Sequence, residues 1–348
     1  MIFLSVHRKE CSYLPYHYTC TSGCRRFRKL LRQAQRSRQH AYSQGTFSNL
    51  RTQFRSYFGF CVFFKRTPLP ADLDTICGYA QFLSQTLQPP SIRNYLSGVK
   101  LLHILLGHEY CVGDNIAFSL LMKGIKRLHP HTPRRAKPVV PSVLTAVSNA
   151  VDGSNSLHLA TFACALLLFN TLSRLGSVLP TSCSRKQRFL PRRCINFSKE
   201  GMLVTVLHTK TIQFGERRLH IPLIGRLSPI CPVRAYRAHL ALLGGLRGKA
   251  TAPAFIYLDS KNSPCWLTRS LFIKTFRQLA YLAGVEDAFA YSGHSFQRGG
   301  ATWAFSSGIP GELIQILGDW SSDAYKRYLE FDMKSKMFLF ARFSDGLP

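Results

Sequence analysis

Residues 129–141 read HPHTPRRAKPVVP, and this stretch limits what the whole chain can become. Four prolines in thirteen positions lack backbone N–H donors and fix φ, so neither a helix nor a central strand continues through them. The 348-residue chain is therefore read as two domains, in keeping with ~100–200 residues per domain. The divisions predicted are a basic, disordered arm over 1–40, a helical domain over 41–128, a linker over 129–140 and a second domain over 141–348. Arg134, Arg135 and Lys137 make the linker basic, which suits either a clamp around a duplex or a plain hinge.

Before the break the apolar spacing is helical throughout. Leu50, Phe54, Tyr57, Phe58 and Cys61 recur at three- and four-residue steps after a candidate cap at Thr46. A proline break (TPLPADL) precedes a second helix over 74–87. Pro89, Pro90 and Ser91 start a third that stops at Gly107, and a fourth lies near 114–127. The arm CRRFRKLLRQAQRSRQH has weak periodicity and reads as a DNA-contacting segment or a solvated tail.

Beyond the break the signals mix. Helices are predicted at 141–151, 156–173, 232–243, 268–283, 295–307, 310–317 and 321–330. The segment LVTVLHTKTIQFGERRLHIPLI (203–224) alternates and is rich in β-branched residues, so it reads as a β-hairpin or small meander, with a turn at Phe214-Gly215-Glu216. The fold class is mainly α: an N-terminal helical bundle followed by an α+β domain with a small antiparallel sheet.

Charge narrows the partner. Forty-six Lys and Arg against 17 Asp and Glu give a formal charge of +29, spread along a chain that is 46% hydrophobic. Folded, strongly basic domains point to polyphosphate binding with a steep salt dependence. The longest apolar run, LATFACALLLFNTL (159–172), falls short of the ~20 residues that cross a bilayer and reads as a buried helix. The opening MIFLSVHRKE lacks a signal-peptide pattern. Eleven cysteines, an odd number without paired CxxC spacing, read as reduced thiols. Cys20, Cys24 and His17 lack a second ligand pair, so no metal site is assigned.

Five strings carry the chemistry: NYLSGVKLLHILLG, FNTLSRLGSVLP, HTKTIQFGERRLHIPL, GHSFQRGGATWAF and PGELIQILGDWSSDAYKRYL. In this order, over residues 41–340, they resemble the tyrosine recombinase (phage-integrase) family. The closest look is to the DIRS-like or Crypton-type recombinases of animal mobile elements. The resemblance implies a core-binding, SAM-like helical bundle joined to an α+β catalytic domain that breaks and rejoins DNA through a 3′-phosphotyrosyl bond. It also implies double-stranded DNA as partner, a homotetramer on synapsed sites, no cofactor, no small-molecule substrate and a nuclear location.

The family pattern places Arg174, Lys210, His294 and Tyr328 in catalytic roles. An in-line attack on a phosphodiester loads negative charge onto non-bridging oxygens, which guanidinium groups neutralise permanently and two at a time. Arg174 matches the first catalytic arginine, although an arginine after an apolar helix is ordinarily a helix-end charge. Lys210 matches the hairpin lysine that protonates the leaving 5′ oxygen. His294 opens a helix and can donate to phosphate or accept a proton. Tyr328, ten residues after Gly318, is the nucleophile, with Lys326 and Arg327 beside it. Tyr325, one turn earlier, is the rival. Arg217, Arg218 and His208 are assigned to the DNA backbone, with Arg134, Arg135 and Lys137 of the linker.

Two positions depart from the pattern. Asp319 stands where the family has His or Trp, and a carboxylate there repels phosphate, leaving Trp320 to supply an indole N–H. Gln297 stands where the second catalytic arginine belongs, three residues after His294, with Arg298 next. At about 100° per residue these two lie near −60° and +40° from His294, so Arg298 is close to the expected face but turned from it. Loss of such a charge contact costs on the order of 10²–10³ in rate. Hence the second reading, a recombinase impaired or repurposed as a DNA-binding protein.

Overall fold

The computed structural model describes residues 20–113, 115–130, 136–184, 188–244, 248–328, 337 and 340–341. The chain divides into two compact units between residues 133 and 134.

The first unit is helical: α1 (Cys20–Gln39), α2 (Gln44–Phe63), α3 (Leu73–Ser84), α4 (Pro89–Leu105) and α5 (Ile116–Leu128). Each start has a local cause. Ser43 caps α2, three residues before the predicted Thr46, because its side chain accepts from Thr46 N–H. Asp72 and Asn115 do the same for α3 and α5, and Pro89 and Pro90 occupy the first turn of α4. Tyr57, Ile76, Tyr79, Ile92 and Val99 form the core. His103 is wholly buried: Nδ1 meets Val99 O at 2.8 Å and Nε2 accepts from Ala71 N–H at 3.1 Å, tying α4 to the approach to α3.

The arm departs from expectation. Residues 1–19 lie outside the described residues, but Cys20–Gln39 is a helix rather than disordered chain. No Gly or Pro interrupts residues 24–39, Arg, Lys, Leu and Gln are strong helix formers, and Phe27, Leu30, Leu31 and Ala34 recur at three- and four-residue steps, a helical spacing read above as weak. Its Phe27, Leu30 and Leu31 are exposed. The Cys20 and Cys24 side chains fall outside what is described.

The second unit is built around α7 (Ser156–Asn170), in which every residue from Ala160 to Phe169 is buried. A helix apolar on all sides has no outward face, which is why its sequence lacks amphipathic periodicity. It is enclosed by α6 (Pro141–Ala150), α9 (Pro232–Leu243), α10 (Arg269–Leu282) and α11 (Gly293–Ser306). The short helices α8 (Leu175–Val178) and α12 (Gly311–Leu317) complete the set.

The predicted hairpin is a three-stranded antiparallel meander of β1 (Ile195–Phe197), β2 (Gly201–Val206) and β3 (Leu219–Ile224). The register pairs Val204 with Ile195 on one side and with Ile221 on the other. All three are buried, so one face of the sheet closes onto the core. β1 is too short to carry a readable alternation, as is the separate ribbon of β4 (Ile256–Leu258) and β5 (Pro264–Trp266). Residues 323–328, predicted as part of a longer helix, form a 3-10 helix. No helix among the described residues is long and apolar enough to cross a membrane.

Candidate active site

Arg174 sits where the central helix gives out. After α7, Leu172 takes a left-handed conformation (φ 51°) and turns the chain, and Arg174 caps α8 with its side chain half-buried. The turn is fastened from below by Gln297, whose Nε2 donates to Leu172 O at 2.8 Å. Gln297 is 1% exposed, and its Oε1 is buried without a hydrogen-bond partner among the described residues. Position 297 therefore lies at the base of the turn that leads to Arg174.

Arg298 goes elsewhere. It is 7% exposed and its Nη1 donates to Ala136 O at 2.6 Å, so its guanidinium is engaged in packing the start of the unit. Val139 N–H donates to Ser295 O at 3.0 Å beside it. A glycine pair makes this approach possible. A Cβ on Gly299 would stand 1.8 Å from Val139 O, and one on Gly300 2.2 Å from Phe169 O. Gly299 thus lets α11 lie against the backbone at Val139, and Gly300 lets it press against the end of α7 beside Leu172.

His294 lies on the first turn of α11, one turn before Gln297. Ser292 and Ser295 form a reciprocal capping box there, fixing the helix start while the imidazole remains exposed.

Lys210 stands in the twelve-residue loop, 207–218, between β2 and β3. It is exposed, and Gln213 Nε2 donates to its carbonyl at 2.8 Å. The threonines on either side point the other way. Thr209 and Thr211 both donate their hydroxyls to Asp319 Oδ2, and Arg217 pairs with Asp319 Oδ1. The Asp319 side chain is 4% exposed. The carboxylate expected to repel phosphate meets three donors of the Lys210 loop. Arg217, assigned above to the DNA backbone, makes this contact with a side chain that stays more than half exposed. Sequence reasoning read Asp319 as a defect and passed over Thr209 and Thr211; the signal was hydroxyls alternating about the lysine.

Tyr328 ends the 3-10 helix and is half-buried, and its carbonyl accepts from the Thr302 hydroxyl of α11. It packs in a small apolar cluster with Leu172, Ala301, Ile314, Trp320 and Tyr325. Tyr325 is 3% exposed, which suits packing rather than attack on a duplex. The Trp320 ring lies 5.8 Å from that of Tyr328 and so close over Gly318 that any Cβ there would collide with it. The Trp320 indole N–H is buried, with no hydrogen-bond partner among the described residues.

One cluster thus joins Leu172, two residues before Arg174, to the helix of His294 and to Tyr328. Asp319, beside Trp320, joins Lys210 to the same segment. The remaining cations are dispersed. Lys137 reaches Asp287 Oδ2 at 3.4 Å, Lys326 pairs with Asp323 at 2.7 Å, and Arg218 and Arg327 are exposed. Burial, with the Arg188 charge, lowers the His208 imidazole below its ordinary range. Arg134 and Arg135 lie outside the described residues.

No protein-family model and no curated protein sequence matches the chain. Solved structures do. The chain is similar to a lambda integrase dimer bound to a COC′ core site, at 16% identity and TM-score 0.53, over 90% of this chain and 98% of that one. It is similar to the Tn1549 transposon integrase in complex with circular intermediate DNA, at 12% identity and TM-score 0.57, over 89% and 97%. It is also similar to XerH site-specific recombinase bound to palindromic difH substrate in a post-cleavage complex, at 13% identity and TM-score 0.57, over 84% and 77%. Mainly helical, with a small antiparallel sheet set among buried helices, the chain has the fold of the tyrosine recombinases.

Proposed function

We propose that the protein is a mobile-element-derived tyrosine recombinase, of the DIRS-like or Crypton-type look, that binds double-stranded DNA and exchanges strands at specific sites. The observation that carries this reading is the scaffold itself. One apolar cluster and one carboxylate hold together the segments that bear Arg174, Lys210, His294 and Tyr328. Four chemically complementary groups, distant in sequence, are thereby served by shared anchors.

In the cleavage step Tyr328 Oη attacks phosphorus in line, forming a P–O bond as the P–O5′ bond breaks. His294 accepts the phenol proton, and Lys210 Nζ donates a proton to the departing 5′ oxygen. Arg174 neutralises the charge on the non-bridging oxygens, and the Trp320 indole N–H adds a donor. A 5′-hydroxyl from a partner strand reverses the step, so the bond energy is conserved without a high-energy cofactor. Synapsis of two sites calls for a homotetramer, in which the exposed Met337 and Phe340 of the tail are docking candidates beside Phe338 and Leu339. Arg218, Arg327, Lys326, Lys137, Arg134 and Arg135 supply phosphate contacts, and an animal mobile element acts in the nucleus.

A second reading is favoured by Gln297, an amide already engaged on Leu172 O that cannot neutralise charge. On that reading the chain grips DNA and cleaves it slowly or not at all. A duplex carrying a nick beside the scissile phosphate separates the two, because loss of the short 5′ fragment traps any covalent protein–DNA adduct. Salt-sensitive binding with a trapped adduct supports the recombinase; salt-sensitive binding with none from the wild-type chain, and an adduct restored by Gln297→Arg, supports the binding protein.

A further inference from the structure

We infer that Asp319 is a positioning residue that sets Lys210 for proton donation by fastening the β2–β3 loop to the segment carrying Tyr328. The inference rests on the reading of Lys210 as the general acid. Three donors from one twelve-residue loop converge on a single carboxylate: the Thr209 hydroxyl, the Thr211 hydroxyl and the Arg217 guanidinium. Thr211 Oγ1 also lies 3.4 Å from the Asp319 carbonyl oxygen. Thr209 Oγ1 in turn accepts the backbone N–H groups of Thr211, at 3.1 Å, and Ile212, at 3.0 Å, and Ile212 is wholly buried. The backbone on both sides of Lys210 is thereby fixed while its ammonium is left exposed. Asp319 holds a left-handed conformation (φ 53°), which aims its carboxylate at the loop, and its neighbour Trp320 packs on the ring of Tyr328.

The consequence is a mechanical link between acid and nucleophile. A loop of this length, with an exposed tip and no ladder partner, would otherwise sample many conformations, and a general acid acts only within hydrogen-bond reach of its target. Charge-assisted bonds from two hydroxyls and a guanidinium to one buried carboxylate are strong enough to remove that freedom.

The test uses the full chain and two variants: Asp319→Asn, which keeps the shape and loses the charge, and Thr209→Val/Thr211→Val, which removes the donors. Thr209→Ser/Thr211→Ser is the conservative control. Three readouts are taken: hydrogen exchange of residues 207–218, duplex affinity, and single-turnover adduct formation on nicked DNA. The inference expects exchange to rise about tenfold or more and adduct formation to fall about 10–100-fold at nearly constant affinity, with the serine control close to wild type. A substrate with sulfur in place of the bridging 5′ oxygen has a leaving group that needs no proton. On it the Asp319→Asn and Lys210→Ala defects should both largely vanish, and on the oxygen substrate Asp319→Asn combined with Lys210→Ala should be no worse than Lys210→Ala alone. Unchanged loop exchange in Asp319→Asn overturns the inference, as does a defect that sulfur does not relieve. A wild-type chain that forms no adduct on either substrate overturns the recombinase reading, and Asp319 then stands as a loop anchor only if exchange still rises.

Discussion

Replacing Gln297 with arginine perturbs the one position where the chain most clearly departs from phosphoryl-transfer chemistry. The amide donates to Leu172 O at 2.8 Å from a site 1% exposed, two residues before Arg174. An arginine there can keep that bond through one nitrogen and carry its remaining donors toward the phosphate that the proposed mechanism places at Arg174. Neutralising one transition-state charge is worth about 2.7–4 kcal/mol, or on the order of 10²–10³ in rate. The same guanidinium is costly in the free protein, where no phosphate compensates its lost hydration. A penalty of about 2 kcal/mol lowers Tm by roughly 4–8 °C for a unit of this size. Gln297→Arg should therefore melt earlier than wild type without DNA, gain more from duplex than wild type does, and form adduct on nicked DNA about 10²–10³-fold faster. The reasoning fails if a folded Gln297→Arg variant binds duplex normally and its adduct rate stays within about twofold of wild type.

Other outcomes follow from the geometry. His239 is wholly buried beside Tyr236 and Phe255, and burial lowers its pKa from 6.5 to about 4. The unfolded chain binds the extra proton in that window, so the stability contributed is full above 6.5 and is lost as pH falls toward 4. Urea unfolding should show wild type losing about 2 kcal/mol more than His239→Leu between about pH 7 and pH 5. Gly300→Ala places a Cβ 2.2 Å from Phe169 O and 2.6 Å from Leu172 Cδ2, so it should cost about 1–3 kcal/mol in the same assay. Asp72 is held at about 2 by the Thr75 hydroxyl and amide and then by Arg66. Asp72→Ala should lose about 1 kcal/mol of capping, measured at neutral pH, and the wild-type contribution should fade as pH drops from the usual carboxylate range toward 2.

The sequence was most readable where one local cause decides the structure. Pro89 and Pro90 start α4, and the apolar run 159–172 falls largely within the buried α7. β1 and β4 went unread because three-residue strands carry too little alternation to register, their pairing being decided by distant partners. Lys210, His294 and Tyr328 could be singled out because their neighbouring strings have a recognisable order. The role of Asp319 could not, since a carboxylate's meaning depends on what faces it, and its donors lie some hundred residues away in the chain. Arg298 shows the same limit. Helix geometry placed it near the catalytic face, whereas the contact with Ala136 O that occupies it comes from within the proline-rich segment, far away in the chain.

The central claim is that Tyr328 forms a covalent bond to DNA. Nicked duplex incubated with the full chain, digested and read by peptide mass should give a nucleotide-modified peptide with the phosphate on Tyr328. The adduct should persist in Tyr325→Phe and be lost in Tyr328→Phe. An adduct on Tyr325, or none from the wild-type chain under conditions in which it binds the duplex, would contradict the account.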